Sequence, residues 1–231
     1  MTNEVKASTA RRYRSARRTE QAAGTRHRIL AAAQALFTER GYTATSVAQI
    51  AAHAEVAVDT LYATVGRKPA LLRALLETAL SGTDEAVPAE QRDYVRRVRA
   101  AGTAAEKIAV YAEAVARIGP RMAPIHRALA EAALRDPDCA ALRGEISARR
   151  AGNMRLFAAD LRATGELRPD LTDDDVADIV WSMNAAEYYA LLVGERGWTA
   201  ERFQDWLVDA WTRTLLRAGQ DTEVAGARDP S

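Results

Sequence analysis

Cysteine is nearly absent: Cys139 is the only one in 231 residues. No intrachain disulfide can form, so a buried core has to hold the fold. Histidine is scarce as well, with His27, His53 and His126 scattered along the chain and no HExxH or CxxC spacing. Together with the lack of a glycine-rich phosphate loop, this excludes the common zinc and nucleotide signatures. No nucleophile and base can be paired, so no catalytic residue, metal or cofactor is expected. Long apolar runs are missing too. The longest uncharged stretch, Gly41–Ala54, has 14 residues, whereas a membrane span needs about 18–20. The basic N-terminus is not followed by an apolar run, so no secretory signal is read and a cytoplasmic location is expected. No segment alternates apolar and polar residues long enough for a convincing strand, and no repeat of fixed period is present.

What remains is a chain with 48% hydrophobic residues, enough for a sizeable core, and a net charge of only +1. That average hides a division. Residues 1–73 carry 12 basic and 5 acidic side chains, and residues 74–231 carry 20 basic and 26 acidic. A basic end joined to an acidic remainder points to nucleic acid as the partner of the first part. Alanine, leucine, arginine and glutamate dominate, and glycine and proline recur as helix punctuation, so the expected fold class is all-α. Residues 1–24 have almost no large apolar side chains and read as a flexible basic arm, and 220–231 as a disordered tail. Between them lie an expected DNA-binding domain over 25–72 and a ligand-binding and dimerisation domain over 73–219.

In the first of these, Ile29, Leu30, Ala33, Leu36 and Phe37 form one apolar stripe of a helix expected over Thr25–Glu39, with Gly41 as its stop. Ser46 and Gln49 fit a capping box that starts a second helix, with Val47, Ile50 and Ala51 facing inward. A turn through Glu55–Ala57 leads to a short third helix, Val58–Val65, anchored by Leu61 and Val65. Pro69 sits near the start of a fourth, where its missing N–H costs nothing. Helix, tight turn and short helix fit a DNA groove. The third helix would enter the major groove with Val58, Asp59, Thr60, Ala63 and Thr64 presented to DNA, while Tyr62 and Lys68 hold phosphates. Asp59 has two readings: acceptor of a cytosine amino group, or a carboxylate placed to suit the helix dipole. The basic clusters at Arg11-Arg12, Arg14 and Arg17-Arg18 could likewise follow a minor groove or remain a solvated tail.

The run Thr25–Ala33, then Leu36-Phe37, Gly41-Tyr42, Ser46-Val47, Ile50-Ala51, Thr60-Leu61-Tyr62 and Lys68 with Leu71-Leu72 resembles the N-terminal domain of the TetR family of bacterial transcriptional regulators. The resemblance implies a homodimer that binds a roughly palindromic operator and leaves it when a small molecule occupies the C-terminal domain. It also implies that Ser46, Thr60, Tyr62 and Lys68 take phosphate-contacting and groove-facing positions. Four residues depart from the family pattern: Glu55 replaces a glycine in the turn, Ala57 a helix cap, Val65 an aromatic residue and Pro69 a glutamate. A module of the same fold that has lost sequence-specific DNA binding therefore stands as the alternative, and an enzyme with a helical pocket as a more distant one.

Further along, helices are expected near 89–100, 104–118, 123–135, 138–163, 173–195 and 200–217. Helix 173–195 is apolar nearly all round, and 200–217 carries a wide stripe of Phe203, Trp206, Leu207, Ala210, Trp211, Leu215 and Leu216. Two such helices from each of two subunits would form a four-helix bundle about a twofold axis. Asn184 and Glu187 interrupt the first of them and have either a structural network or a ligand as partner. If a pocket lies there, its expected wall is Tyr111, Met122, His126, Met154, Phe157, Trp181, Asn184, Glu187 and Tyr188, suited to a small, largely apolar effector.

Overall fold

A computed structural model describes the backbone of residues 2–82 and 87–217, and the side chains from Arg17 onward apart from Arg18. The arm's Arg11, Arg12, Arg14 and Arg18 side chains and the expected tail 220–231 lie outside the described residues. Helix α1 spans Thr2–Ala44 and is broken at Gly41, whose φ of 79° and ψ of 166° leave the helical region. The expected stop is therefore in place, but the start lies 23 residues earlier than Thr25. Alanine, arginine, lysine and glutamate in the arm are good helix formers, which accounts for the extension. Residues 19–24 are exposed and add nothing to the core.

After the Gly41 break, the buried Thr45 hydroxyl donates to the carbonyls of Leu36 (3.2 Å) and Gly41 (2.8 Å), fixing the corner. Then come α2 (Val47–His53), α3 (Val58–Thr64) and α4 (Lys68–Ser81). A 3₁₀ turn at Ala89–Gln91 precedes α5 (Asp93–Ala100), where one helix near 89–100 was expected.

Helix α6 runs unbroken over Ala104–Ala133 through Pro120 and Pro124, in place of the two helices expected there. Each proline removes one backbone bond, but Ala112, Ala116, Ile125, Leu129 and Ala132 are buried on either side and hold the rod together. Helix α7 follows over Pro137–Arg162.

The expected helix 173–195 is in fact three pieces: α8 (Asp173–Met183), a short α9 (Ala186–Tyr189) and a π-helical turn over Ala190–Glu195. The break falls at Asn184 and Ala185, the latter extended at φ −64° and ψ 142°. It resets the helical phase, so Glu187 and Leu191 turn outward while Val180 stays buried. Helix α10 (Ala200–Leu215) closes the order, and Leu167 and Leu216 form one isolated antiparallel bridge.

Two apolar cores result. The first joins α1–α4 to Met122–Ala132 of α6 and to Cys139, Leu142 and Ile146 of α7. The second gathers α5, the first half of α6, the second half of α7, α8, Tyr189 and the stripe Phe203, Leu207, Trp211 and Leu215 of α10. Helices α1 and α4 of the first core thus pack on α6, and α4 also on α7, the two rods that reach the second core, while α2 and α3 pack on α1.

Candidate nucleic-acid interface and ligand cavity

The α2–α3 unit is built by local signals. Ser46 Oγ accepts from the Gln49 N–H (3.2 Å), and Gln49 Oε1 accepts from the Ser46 N–H (2.7 Å), so both halves of the capping box are formed. The turn that follows places Glu55 at φ 55°, a left-handed conformation disfavoured for a residue with a Cβ. Ala57 starts α3 without a side-chain cap.

Leu61 is fully buried and pins α3 to the first core, which leaves Val58, Asp59, Thr60, Tyr62 and Ala63 exposed along its outer side. Thr64 is half-buried, and its hydroxyl donates back to the Thr60 carbonyl (2.6 Å).

Lys68 does not point out as expected. Its ammonium donates to the Tyr42 carbonyl and stands 3.9 Å from the centre of the Tyr42 ring, and burial lowers its pKa. The neighbouring Arg67 is the more exposed cation, and the two share a shallow depression with Tyr42, Val47, Tyr62, Asp136 and Asp138. Arg67 is the N-cap residue of α4, outside both apolar stripes and the capping box, so periodicity gives it no signal.

Tyr42 links this unit to the rest of the molecule. Its hydroxyl donates to Asp136 Oδ2 (3.2 Å) and accepts from the Cys139 thiol (3.3 Å), and burial foremost raises its pKa. Burial also pushes the Asp136 carboxyl upward, but bonds from the Cys139 N–H, the Tyr42 hydroxyl and the Asp138 N–H outweigh it and hold the group low. Two ion pairs repeat the connection between α4 and α7. Arg73 binds Glu145 in a fork with both bonds at 2.6 Å, and Glu77 accepts from Arg149 at 2.7 Å.

Glu77 and Arg149 also edge an open-mouthed cavity of roughly 530 Å³ lined by α4, the turn before α5, α5, α6, α7 and the stretch from Asn184 into α9. Its wall includes Tyr111, Met122, His126, Met154, Phe157 and Asn184. Tyr111 is the centre of an aromatic group, 4.7 Å from Phe157, 6.2 Å from Tyr94 and 5.7 Å from Trp211. Its hydroxyl accepts from the Asn184 amide (2.7 Å) and donates to Met154 sulfur (3.4 Å), and desolvation raises its pKa. Desolvation lowers the pKa of His126, favouring the neutral ring.

Three expected wall residues are placed elsewhere. Trp181 is behind Arg150, which lies over its ring at 5.0 Å. Glu187 is exposed, 4.0 Å from Arg143. Tyr188 accepts from Trp206 Nε1 (2.8 Å) on the outside of α10. The break at Asn184 explains Glu187 and Tyr188, which follow it, because the sequence pattern assumed one uninterrupted helix; Trp181 precedes the break on α8, where Arg150 covers its ring. Tyr189, Gly119, Tyr94 and Arg150 line the cavity in addition. Arg150 had a readable signal: it interrupts the otherwise apolar α7 stripe Ile146, Met154, Phe157 and Leu161.

Among the described residues no helix is long and apolar enough to cross a membrane. Residues 29–75 match the N-terminal family described as bacterial regulatory proteins, tetR family. No curated protein matches the chain. Solved structures of similar fold include a SmeT–triclosan complex, with 16% identity over 84% of this chain and 93% of that one at a TM-score of 0.66. NalD, the secondary repressor of the MexAB-OprM multidrug efflux pump in Pseudomonas aeruginosa, has 20% identity over 84% and 98% at 0.63. The MbdR regulator from Azoarcus sp. CIB has 20% identity over 84% and 100% at 0.59.

Proposed function

We propose that this protein, which carries a DNA-binding segment of the tetR family on a TetR-type fold, is a homodimeric repressor that leaves its operator when a small molecule fills the cavity. The observation that carries this reading is the outer side of α3, exposed from Val58 to Ala63 on a helix that Leu61 anchors from behind. Such a helix can enter a major groove without unfolding anything. Ser46, Tyr62 and Arg67 are placed beside it for phosphates, with Val58, Asp59, Thr60, Ala63 and Thr64 nearest the bases. Lys68 joins the phosphate contacts by leaving Tyr42.

Residues 25–72 form the DNA-binding part in this reading, and 73–219 the effector and dimerisation part. The dimer contact uses α8–α10, where Trp206 and Leu191 remain 40% and 48% exposed although large and apolar. Coupling follows from the ties between α4 and α7. A molecule that prefers the cavity in one setting of the Glu77–Arg149 and Arg73–Glu145 pairs shifts α4, and with it α3, toward that setting. No turnover is assigned to the protein.

The test is titration of fluorescent DNA from upstream of its own gene, at several salt concentrations and against unrelated competitor DNA. Preferential binding that weakens steeply with salt is expected. Equal retention of both DNAs, or none, refutes the reading.

A further inference from the structure

Four arginines reach the cavity wall: Arg92, Arg99, Arg149 and Arg150. Arg92 and Arg149 both engage Glu77, at 3.9 and 2.7 Å, and Arg99 is exposed. Arg150 is different. It is half-buried, and among the described residues no carboxylate lies within ion-pair distance of it. Its protein acceptors are neutral: Nη2 donates to the Trp181 carbonyl (2.9 Å) and to Asn184 Oδ1. Its Nε and Nη1 have no acceptor among the described residues.

A guanidinium in an apolar stripe is costly unless its charge is met. The break between α8 and α9 positions Asn184 to bond Arg150 through its oxygen, and Tyr111 and Met154 through its nitrogen. The amide thereby holds the guanidinium still without neutralising it; what offsets its charge is the face of the Trp181 ring at 5.0 Å and Glu187, which lies beyond ion-pair distance. The carboxylates on the wall do not compete for it. Glu77 is already paired, and Glu90 is exposed in the 3₁₀ turn. Asp160 stands ten residues beyond Arg150 on α7, about 15 Å along the helix axis.

We infer that the cavity is built for an amphipathic organic anion, whose carboxylate accepts from the unpartnered donors of Arg150 and whose aromatic or aliphatic body lies along Tyr111, Met154 and Phe157. This rests on the reading of the cavity as the effector site. The chemistry is that of arginine–carboxylate recognition, in which charge-assisted bonds strengthen as water is excluded. A cationic ligand would meet Arg150 as a like charge.

The full-length protein is titrated calorimetrically with two matched sets: biphenyl-4-carboxylate, biphenyl-4-methanol and biphenyl-4-methylammonium, then decanoate, decanol and decylammonium. Within a set the carboxylate should bind at least about tenfold tighter than the alcohol, with the ammonium weakest. Arg150→Gln should reduce carboxylate affinity to that of the alcohol without changing alcohol affinity, and Arg150→Lys should retain part of the preference. If the glutamine variant does not fold by circular dichroism, the head-group order in the wild type and in Arg150→Lys decides.

The inference is overturned if alcohol or ammonium binds as tightly as the carboxylate, if neither carboxylate binds below about 1 mM, or if Arg150→Gln keeps the preference. Operator binding is measured in the same samples. Arg150-dependent carboxylate binding without DNA release leaves the anion site standing and counts against the repressor reading. DNA binding without carboxylate binding does the reverse.

Discussion

Gly119→Ala sets two effects of opposite sign against each other. Gly119 is buried in the middle of α6, where replacing glycine by alanine ordinarily adds about 0.8–1.0 kcal/mol of helix stability. A Cβ at this position would, however, stand 2.3, 2.4 and 2.8 Å from Cδ2, Cε2 and Cγ of Tyr189. Carbon atoms at optimal contact are about 3.5–4.0 Å apart, so the ring has to move by more than about 1 Å. The ring is 7% exposed and set edge-on against Phe203 at 5.1 Å, so the space open to it is on the side of the cavity it lines, at the cost of that packing. Overpacking of this kind costs about 1–3 kcal/mol, and the size of the overlap puts this site near the upper end. The net expectation is a loss of about 2 kcal/mol, equivalent to about 4–8 °C in Tm for a domain of this size. Thermal denaturation at fixed protein concentration checks it, repeated in a Tyr189→Ala background. With the ring gone, the same glycine substitution should raise Tm. A rise in both backgrounds would show that propensity governs and that the Tyr189 contact does not constrain α6.

Tyr42→Phe keeps the ring contacts with Phe37 and Lys68 but removes the hydroxyl shared by Asp136 and Cys139; urea denaturation should show a loss of about 1–2 kcal/mol, and a change below about 0.3 kcal/mol would dismiss the network as a contributor. At Glu55, whose φ is 55°, glycine relieves about 1 kcal/mol of strain while adding 0.4–1 kcal/mol of unfolded-chain entropy, whereas a β-branched valine increases the strain. Glu55→Gly should therefore match or slightly exceed the parent in Tm, and Glu55→Val should fall clearly below both; valine equal to glycine would refute this. Burial keeps His126 neutral, with a folded pKa below the usual value of about 6.5. The unfolded chain thus binds the proton first, and stability is lost as pH falls below that value. Comparing Tm between pH 7 and pH 5, His126→Gln should lose less than the parent, and parallel curves would contradict the assignment.

Much of the helical order was legible because its signals are local. The Ser46–Gln49 box, the Gly41 stop and Leu61 as the anchor of α3 each depend on residues within one turn of one another. The same holds for the exposed side of α3, since burying Leu61 leaves the opposite side of a short helix outward. The cavity was only partly legible. Tyr111, Met154 and Phe157 follow from apolar periodicity, but a stripe does not distinguish a packed core from one that encloses space. Expectations for Glu187 and Tyr188 failed at a single point, the break at Asn184, because periodicity extrapolates a phase that one extended residue cancels; Trp181, ahead of the break, is instead covered by Arg150, which comes from another helix.

By itself the sequence determined an all-helical chain with a basic, helix-turn-helix end, since composition, caps and 3.6-residue spacing act over a few residues. Only tertiary structure decided that α6 continues through two prolines, that Lys68 folds back onto Tyr42, and that Arg150 meets neutral oxygens and no carboxylate. Those outcomes depend on contacts such as Tyr42 with Asp136, 94 residues apart, and Arg150 with Asn184, 34 apart. Whether a charge is compensated or a backbone bond can be lost is settled by what the rest of the chain brings beside it.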